Sequence, residues 1–127
     1  MSWKNLVKLL SMLCFSSFIS AYSQQIPPQQ LLELIKTQQA PIILDVRSEA
    51  EFQQGHIQGA INISYEKLGS ESHLLETYKN QPMVIYCRSG RRAEVAYQTL
   101  KTKGFTQLID LQGHMILWEK RQYPLSY

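Results

Sequence analysis

The chain has 127 residues, enough for one domain with a sizeable core and little more. Its 44% hydrophobic and 18% charged residues exclude a disordered chain, a collagen-like repeat and a coiled coil. A net charge of only +3 is no footprint for nucleic acid, and two cysteines, Cys14 and Cys87, are too few for a disulfide scaffold or a cysteine-based zinc site.

The first 23 residues form an expected secretory leader. Lys4 and Lys8 make a basic start, Leu9 to Ile19 is a short apolar run broken only by serines, and Ala21-Tyr22-Ser23 offers small residues at a cleavage site. An eleven-residue run is too short to span a bilayer core, which needs about 20 residues, so cleavage is expected rather than anchoring. Cys14 belongs to this leader, since Leu13 before it does not suit a lipoprotein site. Removal after Ser23 leaves a domain over residues 24–127, net charge +1 and a single thiol, Cys87, in an oxidising setting. An unpaired thiol there is buried and inert, paired with another chain, or reactive.

The mature chain alternates between helical and strand patterns. Pro28 to Gln38 carries Leu31, Leu34 and Ile35 at helical spacing. Ile42-Ile43-Leu44 is an all-apolar strand ending in Asp45-Val46-Arg47. Ser48 with Glu51 has the form of a capping box before a short helical turn. Gly55 to Gly59 is a turn, followed by a brief strand at Ala60 to Ile63. Ser72 to Lys79 is expected to be helical, with Leu74, Leu75 and Tyr78 on its apolar side. Met83 to Tyr86 is the most buried-looking strand. Arg91 to Lys103 places Ala93, Ala96, Tyr97 and Leu100 on one stripe, with Gly104 as its terminator. Leu108 to Leu111 is a strand and Met115 to Arg121 a last helix. The alternation implies one α/β domain, a central parallel sheet with helices on both faces.

The chemistry converges on Cys87-Arg88-Ser89-Gly90-Arg91-Arg92. The thiol ends a central strand just before a helix, where ligands of open α/β sheets bind. A helix amino terminus supplies unpaired N–H groups and positive charge, which lowers a thiol's pKa and exposes the thiolate. Gly90 permits a tight curl of amides, and Arg88, Arg91 and Arg92 add charge for an anionic substrate. An ordinary buried cysteine would not be expected to be followed by Arg-Ser-Gly-Arg-Arg.

The chain resembles the rhodanese family of sulfurtransferases. The matching pieces are Asp45-Val46-Arg47, Gly55-His56-Ile57-Gln58-Gly59-Ala60-Ile61-Asn62-Ile63, the Cys87–Arg92 loop, and Gly104-Phe105 through Leu111-Gln112-Gly113 to Trp118, in the family's order from about Gln29 to Tyr123. One departure is His114, where the family usually has a second glycine after Gly113. The resemblance implies a three-layer rhodanese-like domain and a two-step transfer. Cys87 attacks the outer sulfur of thiosulfate or a related donor, releases sulfite and carries a persulfide, which cyanide or a thiol then takes up. Loop amides from Arg88 to Arg92 would hold the terminal sulfur, and the arginines, Arg92 first, would bind the donor's sulfonate end. No cofactor or metal is implied. The partners are a small-molecule sulfur donor and acceptor, with a protein thiol as a further acceptor, and neither nucleic acid nor, after leader removal, a membrane; a periplasmic monomer is expected.

Related phosphatases use Cys-x5-Arg, whereas counting six on from Cys87 arrives at Ala93, so the loop length favours sulfur transfer. Asp45 and Arg47 are expected to support the site, Asp45 by hydrogen bonds to loop backbone and Arg47 by pairing with an acid. His56 is expected to stabilise its turn, and Trp118 and Phe105 to lie in the core. His73 and His114 have no metal-ligand neighbours in sequence, and Asn62-Ile63-Ser64 is a poor glycosylation site at a strand end. Two other classes stay open: a relay module that delivers a persulfide to a protein partner without turning over thiosulfate, and a thiol–disulfide protein, which would need a partner's resolving thiol because no Cys-x-x-Cys is present.

Overall fold

Four consecutive buried residues, Met83-Val84-Ile85-Tyr86, form β4, the strand around which the sheet is organised. The structure is a computed structural model that describes residues 24–127, so the expected leader and Cys14 lie outside the described residues. Five parallel strands run in the order β1-β5-β4-β2-β3, with β1 at Gln25–Ile26, β2 at Ile42–Asp45, β3 at Ile61–Asn62 and β5 at Leu108–Leu111. Successive strand residues face opposite sides, so each central strand feeds two cores. Leu44, Met83 and Ile85 pack with Ala93, Ala96, Tyr97, Leu100, Leu68 and Leu75 on one face. Ile43, Val84 and Tyr86 pack with Leu31, Leu32, Met115 and Trp118 on the other. A sheet buried on both faces needs near-continuous apolar strands, which is what β2, β4 and β5 supply.

The helices are α1 (Pro28–Lys36), α2 (Glu49–Gln53), α3 (Leu68–Glu71), α4 (Arg91–Thr102) and α5 (His114–Lys120), with a 3-10 helix at Ser72–Tyr78. Proline at its first position presets the backbone of α1. The Ser48–Glu51 capping box forms as expected and starts α2. The α4 stripe is buried as its spacing requires, and Trp118 and Phe105 lie in the core at 1% and 4% exposure. Leu74 departs from expectation. It is 61% exposed, because three residues per turn carry it off the face that Leu75 and Tyr78 share. Among the described residues no helix is long and apolar enough to cross a membrane.

The order of the strands positions the site. The chain leaves β2 toward β3 on one side and leaves β4 toward β5 on the other, so β2 and β4, paired Asp45 to Tyr86, flank a topological switch point. A crevice opens outside the carboxyl ends of strands at such a point. Asp45 ends β2 there, and Cys87 follows β4.

Candidate active site

Cys87 begins the loop between β4 and α4, and its side chain is 1% exposed. The loop turns back on itself through Gly90, whose φ of 113° only glycine adopts readily. That curl brings the Gly90 N–H to 3.0 Å from Cys87 Sγ, which accepts it. The Ala93 amide, in the first turn of α4, also acts on the sulfur. Burial pushes the thiol up, but the His114 ring together with the Ala93 and Gly90 amides more than offsets it and leaves the group at about 7, below its ordinary value. A substantial share of the sulfur is therefore thiolate at neutral pH.

Beneath the loop, Cys87 N donates to His114 Nδ1 at 3.2 Å. His114 itself is 5% exposed, and its Nε2 lies 3.2 Å from Asp110 Oδ1 of β5. Burial disfavours the His114 charge, yet Asp110 and Cys87 outweigh burial and raise the imidazole to about 9. The turn accommodates histidine in place of a second glycine by adopting the left-handed conformation at both Gly113 and His114, with φ of 73° and 51°.

The loop arginines divide. Arg88 and Arg91 are exposed, while Arg92 forms a two-pronged pair with Glu51 at 2.7 and 3.0 Å. The hydrogen bond from Arg92 is the main reason that Glu51 is lowered to about 2; burial opposes it, and Ser48 adds to it. Among the described residues the ion pairs involve Arg47 and Arg92 but neither Arg88 nor Arg91. Arg92 also lines a cleft of about 670 Å³, bordered by Phe52, Asn62, Tyr65 and Lys67.

Asp45 and Arg47 pair with each other. Fully buried Asp45 accepts from the Arg47 backbone amide at 2.9 Å, from Arg47 Nε at 3.1 Å and Nη2 at 2.7 Å, and from the Tyr86 hydroxyl at 2.7 Å. Asp45 thus accepts from loop backbone as expected, though from the loop that follows β2 and not from the Cys87 loop. Its acceptor sites are filled by a residue two positions on and by the end of the neighbouring strand, which leaves none for the amides of the Cys87 loop. Arg47 continues to Gly55 O, and Tyr86 Oη accepts from Ile57 N, so the pair ties both strand ends to the Gly55–Gly59 turn. His56 stabilises that turn as expected, through Phe52 O at 2.9 Å and a stack on the Phe52 ring.

Sequence reasoning found Glu51 as a cap but missed its pairing with Arg92, and it missed Tyr86, Asp110 and the position of the His114 ring; His114 left a signal of its own, as a side chain where glycine is usual. Among the described residues no group of three or more His, Cys, Asp or Glu is placed to hold a metal ion.

Comparison with known proteins points the same way as the geometry. A family model described as Rhodanese-like domain matches residues 27–121. The chain is 28% identical over 101 residues to a protein named Sulfurtransferase from Allochromatium vinosum, covering 80% of this chain and 92% of that one. It is 29% identical over 105 residues to the probable adenylyltransferase/sulfurtransferase MoeZ of Mycobacterium tuberculosis, covering 83% of this chain but 27% of the relative. The chain spans less than two thirds of the length of the first curated relatives it matches. The crystal structure of a rhodanese-related protein from Thermoplasma volcanium superposes with a TM-score of 0.70 at 29% identity, over 81% of this chain and 97% of that one.

Proposed function

The chain belongs to the rhodanese-like family of sulfurtransferases and sulfur carriers, and from that premise we propose that it moves a sulfane sulfur from thiosulfate or a related donor to a thiophilic acceptor through a persulfide on Cys87. The observation that carries this reading is the buried Cys87 sulfur held by loop amides, with its thiol lowered to about 7. The thiolate attacks the outer sulfur of thiosulfate. A new S–S bond forms to Cys87, the old one breaks, and sulfite leaves with the bonding pair. In the second step cyanide, or a thiolate, attacks the terminal sulfur and returns Cys87 as thiolate, so no external oxidant or reductant is needed.

The Gly90 and Ala93 amides offer stabilisation to the charge on the persulfide. Arg88 and Arg91, exposed and outside the ion pairs, are the arginines proposed to receive the donor's sulfonate; Arg92 is occupied by Glu51. The leader over residues 1–23 makes the periplasm the proposed setting, which amino-terminal sequencing of exported protein tests.

The decisive experiment is mass spectrometry of the mature protein after incubation with thiosulfate, paired with a thiosulfate–cyanide assay and Cys87→Ser as control. A mass gain of one sulfur with turnover to thiocyanate, both lost in Cys87→Ser, supports the enzyme. A stable adduct without turnover makes the protein a relay module. Absence of the adduct in the wild type overturns the proposal.

A further inference from the structure

His114 occupies a conformation that histidine enters seldom. With φ of 51° it follows Gly113 in the left-handed region, and this turn directs its ring inward beneath the Cys87 loop. The ring fills the space there so closely that a Cβ on Gly90 would lie 2.9 Å from Nε2. Its two nitrogens face different groups, Nδ1 toward Cys87 and Nε2 toward Asp110. Asp110 Oδ1 is buried and has no aligned hydrogen-bond donor, so the imidazole is the group available to balance it. A buried carboxylate and an imidazole thus stand between β5 and the Cys87 backbone, and the ring also acts on the thiol.

Resting on the reading of Cys87 as the sulfur-carrying nucleophile, we propose that His114, backed by Asp110, is a positioning residue that takes up the Cys87 proton and holds the sulfur as the thiolate of an imidazolium–thiolate pair. The proton passes from Sγ to Nδ1, while Nε2–H stays toward Asp110. In the neutral ring Nδ1 accepts the Cys87 amide hydrogen at 3.2 Å; on protonation that bond is given up, and Nδ1–H turns to the sulfur instead. Sulfite departs as an anion with the bonding pair, so the ring keeps its proton through the transfer. The groups that act electrostatically on the ring are Asp110 of β5 and Cys87 of the loop. Arg88 and Arg91 add constant positive charge from the exposed side of that loop, and Glu119 and Lys120 on α5 are exposed. The raised imidazole and lowered thiol agree with proton transfer in this direction.

The test is the pH dependence of Cys87 alkylation by iodoacetamide in the wild type, His114→Gly and His114→Asn. Glycine suits φ of 51° without strain, and asparagine tolerates it while still able to accept the Cys87 amide, though not to take a proton. The midpoint is expected at about 7 in the wild type. It should rise by about one pH unit or more, toward the free value of ~8.5, in both variants. A wild-type midpoint retained in His114→Asn would mean that the ring serves only as a backbone acceptor, and would overturn the proposal, as would an unchanged profile in His114→Gly. Ring titration by NMR is the independent arm: His114 should titrate at about 9 in the wild type, and lower in Asp110→Asn and Cys87→Ser. A ring titrating near the ordinary ~6.5 refutes the pair. Sulfur loading with coincident alkylation profiles defeats the pair alone; displaced profiles without sulfur loading uphold the pair and defeat the reaction.

Discussion

Replacing Glu51 by glutamine removes one charge from the clasp that joins α2 to the Cys87 loop and leaves the side chain's size unchanged. A carboxyl held at about 2 instead of 4.5 would by linkage alone contribute about 3 kcal/mol at neutral pH. Glu51 and Arg92 are 33% and 28% exposed, however, and solvent screening reduces such a pair to about 1 kcal/mol. The sign follows from the depressed carboxyl: its contribution is fully present above 4.5 and is lost as pH falls through about 2. Urea unfolding should therefore find Glu51→Gln less stable than the wild type by about 1 kcal/mol at neutral pH. The gap should narrow below 4.5 and close near 2, where the wild-type carboxyl is itself protonated. High salt should shrink it as well. Freed from its partner, Arg92 adds positive charge beside the loop, and the apparent KM for thiosulfate should fall about threefold, the effect of ~0.6 kcal/mol of added attraction in a wet site. A stability gap that stays constant from neutral pH down to about 2, or no gap at all, would refute the assigned role of the pair.

Arg47→Met leaves the fully buried Asp45 carboxylate without its main partner, and equilibrium unfolding should register a loss of about 3–5 kcal/mol; a loss under ~1 kcal/mol would show the carboxylate to be relaxed or hydrated. Gly90→Ala forces a side chain into a φ of 113° and against His114 Nε2, so it should cost about 1–3 kcal/mol and slow Cys87 alkylation at neutral pH. Unchanged stability and reactivity would mean that the curl does not depend on glycine. The rate of sulfur loading from thiosulfate should be flat above about 7 and fall tenfold per pH unit well below it, because only the thiolate attacks. A rate independent of pH across that value removes the thiolate from the mechanism.

Strong local patterns were legible. Met83 to Tyr86 and Leu108 to Leu111 are apolar enough to declare buried strands, Ala93-Ala96-Tyr97-Leu100 marks one helix face, and Ser48 with Glu51 announces its own cap. The strand at Gln25–Ile26 was not legible, because two residues have no period and its existence rests on pairing with Asp110 and Leu111 far along the chain. The short helix Leu68–Glu71 has no cap to signal it. At the site, Cys87 and its glycine were visible as a local motif. The Glu51–Arg92 clasp, 41 residues apart in sequence, arises only when α2 is brought against the loop. The same holds for Tyr86 and Asp45, which meet across paired strands. His114 is visible in the sequence as a misfit in a turn, but its ring reaches Cys87 only because β4 and β5 are neighbours.

Both margins of the sheet are cut short. β1 and β3, which form its two borders, contribute two residues each, while the three strands between them run to four. A foreign strand arriving at either border would find scarcely one repeat of the hydrogen-bonding ladder to extend, too little to repay the ordering of its own backbone. Among the described residues, neither border therefore offers a ladder long enough to template edge-to-edge growth.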